Sequence, residues 1–113
     1  MAVHVFAIGF RQMNQIFPNC QIFKFTSHAV QRMFERSISK EDVLNVLRKG
    51  EVIIEYSEDE PFPSYLIFDM IGDRPIHALV ALDLTAKICY IITVYEPDAK
   101  IWSDDFKVVS KVP

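Results

Sequence analysis

The periodicity of the chain changes at Gly50, and this change constrains the fold more than any other feature. Before Gly50, apolar residues recur at helical spacing; after it, β-branched and aromatic residues form short runs separated by turn residues. Helices followed by successive strands are typical of an α+β fold in which helices cover one face of an antiparallel sheet. The connections after Gly50 are too short for crossover helices, so a parallel βαβ arrangement is the weaker alternative.

Two helices are predicted before Gly50. The first spans about residues 27–36, with Thr26 or Ser27 as its N-cap. Ser39 precedes the second helix, and Asp42 three residues later forms a capping-box-like pair with it. Gly50 provides the C-terminal stop of that second helix.

Strands are predicted after Gly50 over residues 52–56, 65–71, 75–82 and 88–95. Gly72-Asp73 lies between the second and third of these runs and is a strong hairpin signal. The last run is apolar on both faces, which predicts a central strand. Residues 3–8 and 21–25 are further candidate strands near the N-terminus.

The composition indicates one globular domain, spanning residues 1–113. Half of the 113 residues are hydrophobic and 24% are charged, as in ordinary packed domains. The formal net charge of −3 argues against bulk attraction to nucleic acid, although it leaves room for a small basic surface.

The cellular location is predicted from the cysteines and from the lack of long apolar segments. Cys20 and Cys89 form no CxxC pair, and Cys89 lies in a strand-like run, where a buried free thiol is the ordinary interpretation. A disulfide is the open alternative. No segment reaches membrane-spanning length and no signal-peptide pattern is present, so we expect a cytoplasmic protein with no membrane contact.

The first helix carries three basic residues on one side. His28, Arg32 and Arg36 follow each other at four-residue intervals, so they share a stripe about 80° wide. We call these three residues the basic stripe. A titratable imidazole beside two permanent cations indicates an anion-binding surface.

An ordered set of motifs resembles a bacterial family of domains of unknown function that is grouped with RelE-, BrnT- and MqsR-like toxins of type II toxin–antitoxin systems. The motifs are Ser27-His28-Ala-x-x-Arg32-Met-x-Glu-Arg36, Ile38-Ser-x-Glu-Asp-Val43, Gly50-Glu-Val-Ile53, Pro61-x-Pro-Ser64, Arg74-Pro-x-His77, Ile91-Ile-Thr-x-Tyr95-x-Pro97 and Trp102. The resemblance covers about residues 24–103 and leaves 1–23 as an N-terminal extension.

The resemblance implies a RelE-like fold, with two N-terminal helices packed on an antiparallel sheet of about four strands. It also implies a metal-independent endoribonuclease that cuts mRNA, often on the ribosome, without a cofactor. Such a toxin is neutralised by a cognate antitoxin, here expected to be a small zinc-finger or DNA-binding protein.

Metal-independent RNA cleavage needs a base, an acid and cations that stabilise the charge on phosphorus. In the first helix, His28 and Arg32 are candidate catalytic residues, and Arg36 is a candidate substrate-binding residue. The alternatives are a His28 bonded to backbone or carboxylate, and arginines paired with Glu35 or with the acidic residues 58–60.

The strands contribute the other candidates. His77 and Tyr95 are candidate catalytic residues, and Arg74 is a candidate substrate-binding residue. Strand alternation places His77 on the face opposite Ile76 and Ala78. The alternatives are a His77 satisfied within the core and a Tyr95 that anchors the end of its strand.

Two other functions remain open from the sequence. The acidic net charge and the scarcity of clustered lysines favour a non-catalytic RelE-like module that binds a protein partner or regulates. A small-molecule enzyme that uses His28 and His77 as an acid–base pair is the third hypothesis, and it requires the two side chains to share a cleft.

Overall fold

The computed structural model of the chain describes residues 19–109, so the predicted strand at 3–8 lies outside the described residues. The fold is α+β, as predicted, with two helices and five strands. The elements are β1 (Ile22–Phe25), α1 (Ser27–Arg36), α2 (Lys40–Lys49), β2 (Glu51–Tyr56), β3 (Ser64–Ile71), β4 (Arg74–Asp83) and β5 (Ile88–Tyr95).

The helix boundaries follow from their capping residues. Thr26 is the N-cap of α1: its Oγ1 accepts a hydrogen bond from the Ala29 amide at 3.0 Å and donates one to the Ile92 carbonyl at 2.8 Å. The start of α1 is therefore bonded to β5. Ser39 and Asp42 form the predicted capping box at the start of α2.

The sheet corrects the predicted strand count and orientation. Its strand order is β1-β5-β4-β3-β2, and β1 runs parallel to β5 while the other neighbours are antiparallel. The sheet is thus mixed and five-stranded rather than antiparallel and four-stranded. The reason is that β1 precedes the helix pair and β5 is the last strand described, so their pairing joins segments more than sixty positions apart in the chain. No local pattern reports such a distant pairing.

The β3–β4 hairpin turns at Gly72-Asp73, as predicted. Gly72 has φ +66°, a left-handed conformation that glycine adopts without a Cβ clash. The hairpin pairs Phe68 with His77, and β4 in turn pairs His77 with Tyr95. These three residues therefore lie side by side across the sheet.

The core lies between the helices and one face of the sheet. Ala29 and Met33 of α1 and three buried residues of α2 pack against apolar residues of all three central strands; the strand residues include Ile67, Ile76, Ala78, Val80, Ile91 and Val94. At the end of α2, a Cβ on Gly50 would come within 2.8 Å of the Phe68 carbonyl oxygen. Glycine is required there because α2 ends so close to β3.

The predicted free thiol at Cys89 is wrong, because Cys20 and Cys89 form a disulfide with their Cα atoms 5.4 Å apart. The parallel pairing of β1 with β5 places Phe23 beside Cys89 and so brings the segment before β1 close to β5. The bond links the segment just before β1, the edge strand, to β5. Neither helix of the described chain, 19–109, is long and apolar enough to span a bilayer.

Candidate functional site

The basic stripe lies on one flank of the exposed side of α1. His28 and Arg36 are exposed and Arg32 is partly exposed, and the stripe borders the buried side of the helix, which carries Ala29 and Met33. Arg32 lies 3.7 Å from Glu35 in an exposed ion pair, which is one of the predicted alternatives. Exposed pairs of this kind are weak, so Arg32 can exchange Glu35 for another anion.

The guanidinium of Arg36 makes no ion pair or hydrogen bond with the described residues 19–109, whereas its backbone carbonyl is bonded. At the end of α1, the Arg36 guanidinium is thus free of the described residues, while the Arg36 backbone is held in place. The Arg36 guanidinium can therefore bind an anion without first breaking a contact with the described residues.

Arg74 holds the end of α1 to the sheet. Its Nε donates to Glu96 at 2.7 Å, its Nη1 donates to the Ser37 carbonyl at 3.1 Å, and its Nη2 donates to the Arg36 carbonyl at 2.5 Å. A cation is favourable at a helix C-terminus because it meets unsatisfied carbonyls and the negative end of the helix dipole. Each guanidinium nitrogen of Arg74 has a protein acceptor, so Arg74 positions α1.

Replacing Arg74 with Met is expected to lower the free energy of unfolding by about 2 kcal/mol, since hydrogen bonds to charged groups each contribute about 1.5–3 kcal/mol and Arg74 is one-third exposed. Urea unfolding measures the change. Arg36→Met is the matched control, with an expected change within about 0.5 kcal/mol because that side chain has no partner among the described residues. Equal losses in both variants would show that the three bonds of Arg74 do not stabilise the fold.

His77 lies on the sheet face opposite the helices, as the strand alternation predicted, and is fully buried at 0% exposure. Its Nε2 lies 2.7 Å from the Phe106 carbonyl oxygen, and its Nδ1 lies 3.2 Å from the Tyr95 hydroxyl. Because a carbonyl only accepts, Nε2 carries the proton and Nδ1 accepts from Tyr95. Both ring nitrogens are satisfied, as in the core alternative considered from the sequence.

Burial shifts the pKa values of this pair. Desolvation lowers the pKa of His77 below its ordinary value, and the hydrogen bond to Phe106 only partly opposes that effect. Desolvation also raises the pKa of Tyr95, with a further contribution from Tyr56. Both side chains are therefore neutral near pH 7.

Aromatic rings close this face of the sheet around His77. Trp102 meets the imidazole edge-on at 4.5 Å between ring centroids, and Phe68 does so at 5.8 Å. Phe106 packs near Phe68, with 6.3 Å between centroids. Trp102 is buried against this face of the sheet, whereas no sequence signal marked Phe106, whose backbone carbonyl makes the bond.

The six candidate residues fall into separate groups. The basic stripe is on α1, and Arg74 joins it through its bonds to the helix end. His77 and Tyr95 lie together on the far side of the sheet. The sheet therefore separates His28 from His77, and the acid–base pair required by the small-molecule hypothesis does not form in this structure.

Another exposed residue of α1 was not singled out from the sequence. Phe34 is 87% exposed, and Val30 one turn earlier is 52% exposed. The helical pattern could have revealed both, because they lie away from the buried Ala29 and Met33.

Comparison with known families identifies one match. The model of a family described as "Domain of unknown function (DUF4258)" matches residues 25–96, which run from the end of β1 to just beyond β5. The match includes all six candidate residues. Neither the curated proteins nor the solved structures contain a significant match.

Proposed function

The chain belongs to the DUF4258 family of domains of unknown function, and we propose that it is an RNA-cleaving toxin of a toxin–antitoxin pair. In this proposal the chain is a metal-independent endoribonuclease with a RelE-like fold that acts on mRNA in the cytoplasm. A cognate antitoxin, a small zinc-finger or DNA-binding protein, holds it inactive. The observation that carries the proposal is the exposed basic stripe on α1.

The stripe combines the two chemical abilities that the reaction needs. His28 is the exposed histidine of the described chain, and histidine is the side chain that most often transfers protons as a general acid or base in enzymes. Arg32 and Arg36 present planar guanidinium groups that suit a phosphate. Helical spacing places all three in one stripe on α1. Thr26 fixes the start of this helix to the sheet, and Arg74 fixes its end.

The reaction proceeds by attack of a ribose 2′-oxygen on the adjacent phosphorus. His28 takes the proton of the 2′-hydroxyl, the 2′-oxygen forms a bond to phosphorus, and the bond from phosphorus to the 5′-oxygen breaks. The 5′-oxygen takes a proton from water. Arg32 and Arg36 stabilise the charge that develops on the phosphate oxygens.

In this proposal the other three candidate residues have structural roles: His77, Tyr95 and Arg74. Arg74 positions the end of α1, and the His77–Tyr95 pair supports the opposite face of the sheet. The proposed catalytic group thus narrows to His28 and Arg32, with Arg36 as the phosphate-binding residue.

Induced expression in bacterial cells tests the proposal. Wild type is expected to arrest growth and degrade mRNA, whereas the double variant His28→Ala/Arg32→Ala is expected to do neither, because removing a general base alone slows a reaction about 10²- to 10⁴-fold. Lys49→Ala, an exposed basic residue at the end of α2, is the control and should behave like wild type. Normal growth with intact mRNA under wild-type expression would contradict the toxin function.

A different observation supports a second candidate function. The described chain places one histidine, His28, on the exposed face of α1, whereas His77 and Tyr95 are buried as a satisfied pair. This arrangement favours a non-catalytic RelE-like module that binds a protein partner. That function predicts normal growth under expression and binding to the product of the neighbouring reading frame without any RNA cleavage.

A further inference from the structure

Phe34 is the most exposed large apolar side chain among residues 19–109. At 87% exposure it contributes almost nothing to the core, and replacing it would remove no buried contact. Val30, one turn earlier on the same flank of α1, is 52% exposed, so the two side chains form a continuous exposed apolar surface. Such surfaces often mark sites of interaction.

The surroundings of Phe34 indicate the chemistry of its ligand. At 100° per residue, Phe34 and the basic stripe lie on opposite flanks of the exposed side of α1, with Gln31 and Glu35 between them. Glu35, the one acidic residue of α1, accepts a hydrogen bond from Gln31 at 3.2 Å and lies 3.7 Å from Arg32. Its negative charge is therefore partly neutralised by groups on the same helix.

This face thus presents cations on one flank and an aromatic ring on the other. Proteins bind single-stranded nucleic acid with the same combination, in which cations follow the phosphates and aromatic rings stack on bases. His28 and Phe34 are separated by about 9 Å along the helix axis and by about 120° around it, so a strand of a few nucleotides that crosses the exposed side of α1 can contact both. A base-paired strand cannot offer a base to Phe34 in this way.

We propose that an unpaired base of single-stranded RNA stacks on Phe34 while phosphates further along the same strand contact the basic stripe. The inference rests on the proposed function, for which it names the substrate class and adds one substrate-binding residue. Phe34 contributes affinity by stacking, and it takes no part in proton transfer.

Binding of a fluorescein-labelled 12-nucleotide single strand with 2′-O-methyl ribose tests the proposal. This RNA cannot be cleaved, so fluorescence anisotropy reports affinity alone. Phe34→Ala is expected to weaken binding about 5- to 100-fold, the range for loss of one stacked base. Phe34→Trp is expected to restore binding, and its indole fluorescence should be quenched when the RNA is added.

Two controls separate stacking from phosphate contact. Leu84→Ala removes a side chain that is 55% exposed in the β4–β5 turn, and it should bind like wild type. Arg36→Ala should reduce the dependence of affinity on salt, whereas Phe34→Ala should leave that dependence unchanged. An RNA duplex of the same sequence should compete poorly.

Several results would overturn the inference. One is equal affinity of wild type and Phe34→Ala for the single strand. Another is sedimentation of wild type as a dimer that the Phe34→Ala substitution dissociates, which would assign Phe34 to contact with a second copy of the chain. Loss of binding to the neighbouring-frame protein in Phe34→Ala, with RNA binding intact, would assign it to a protein partner. If the variants change RNA binding as expected but wild type does not cleave unmodified RNA, the proposed nuclease function is contradicted and stacking on Phe34 is still supported.

Discussion

Reduction of the Cys20–Cys89 disulfide is expected to lower the free energy of unfolding by about 4 kcal/mol. The two cysteines are 69 residues apart, and closing a loop of that size restricts the unfolded chain by about this amount. The bond also links the segment just before the edge strand β1 to β5. Urea unfolding of the oxidised protein, with and without a phosphine reductant, measures the change as a lower midpoint.

The control for this prediction is Cys20→Ser. Cys20 is only partly buried, so the substitution breaks the bond without placing a hydroxyl deep in the core, as Cys89→Ser would. The variant should match the reduced wild type and should not respond to reductant. Identical midpoints for oxidised and reduced wild type would contradict the stabilising role of the bond.

Replacing His77 with Ala is expected to lower the free energy of unfolding by about 3 kcal/mol. The substitution leaves a cavity among Phe68, Trp102 and Tyr95, and it removes the partner of the Phe106 carbonyl. Urea unfolding measures the loss. An exposed histidine makes a good comparison, so His28→Ala is the control and should change stability by less than about 0.5 kcal/mol.

His77 also makes stability depend on pH. Burial lowers its pKa in the folded protein, so between that pKa and the ordinary value near 6.5 the unfolded chain binds a proton that the folded chain does not. Stability is therefore complete above about pH 6.5, falls as the pH decreases below it, and levels off below the folded-state pKa. The slope is at most about 1.4 kcal/mol per pH unit, for one proton.

The His77→Phe variant isolates this contribution because phenylalanine does not titrate. Unfolding midpoints of the variant and of wild type, followed from pH 8 to pH 5, should diverge only below about pH 6.5, where wild type loses stability faster. Parallel curves over the whole range would show that His77 has the same pKa in both states.

Local signals in the sequence were sufficient for most of the fold. The boundaries of α1 and α2 depend on Thr26, Ser39, Asp42 and Gly50, whose preferences act within one helical turn. The β3–β4 turn depends on the conformational freedom of Gly72. Each of these elements was predicted because its cause lies within a few residues of its effect.

Long-range pairing could not be predicted in the same way. The parallel contact of β1 with β5 and the Cys20–Cys89 bond join residues that are more than sixty positions apart. Four residues of β1 carry too short a pattern to identify a neighbour. The bond from His77 to the Phe106 carbonyl depends on a backbone atom, which no residue type can indicate.

Only part of the candidate site could be predicted, because the rest of it also depends on long-range contacts. The basic stripe required only helical spacing, and the structure places it on one exposed side of α1. The roles of Arg74 and His77 depend on partners in other elements: Glu96, two carbonyls of the α1 terminus, Tyr95 and Phe106. Their residue types are equally suited to catalysis and to support, and only the contacts distinguish the two roles.

The central claim is that the exposed side of α1 carries out the chemistry. Cleavage of a purified mRNA in the presence of EDTA tests this claim most directly. Wild type is expected to cut the RNA and leave 2′,3′-cyclic phosphate ends, and His28→Ala is expected to lower the single-turnover rate by about 100-fold or more. His77→Phe, assayed where it is folded, is expected to retain the wild-type rate. Unchanged cleavage in His28→Ala, or no cleavage by wild type, would contradict the claim.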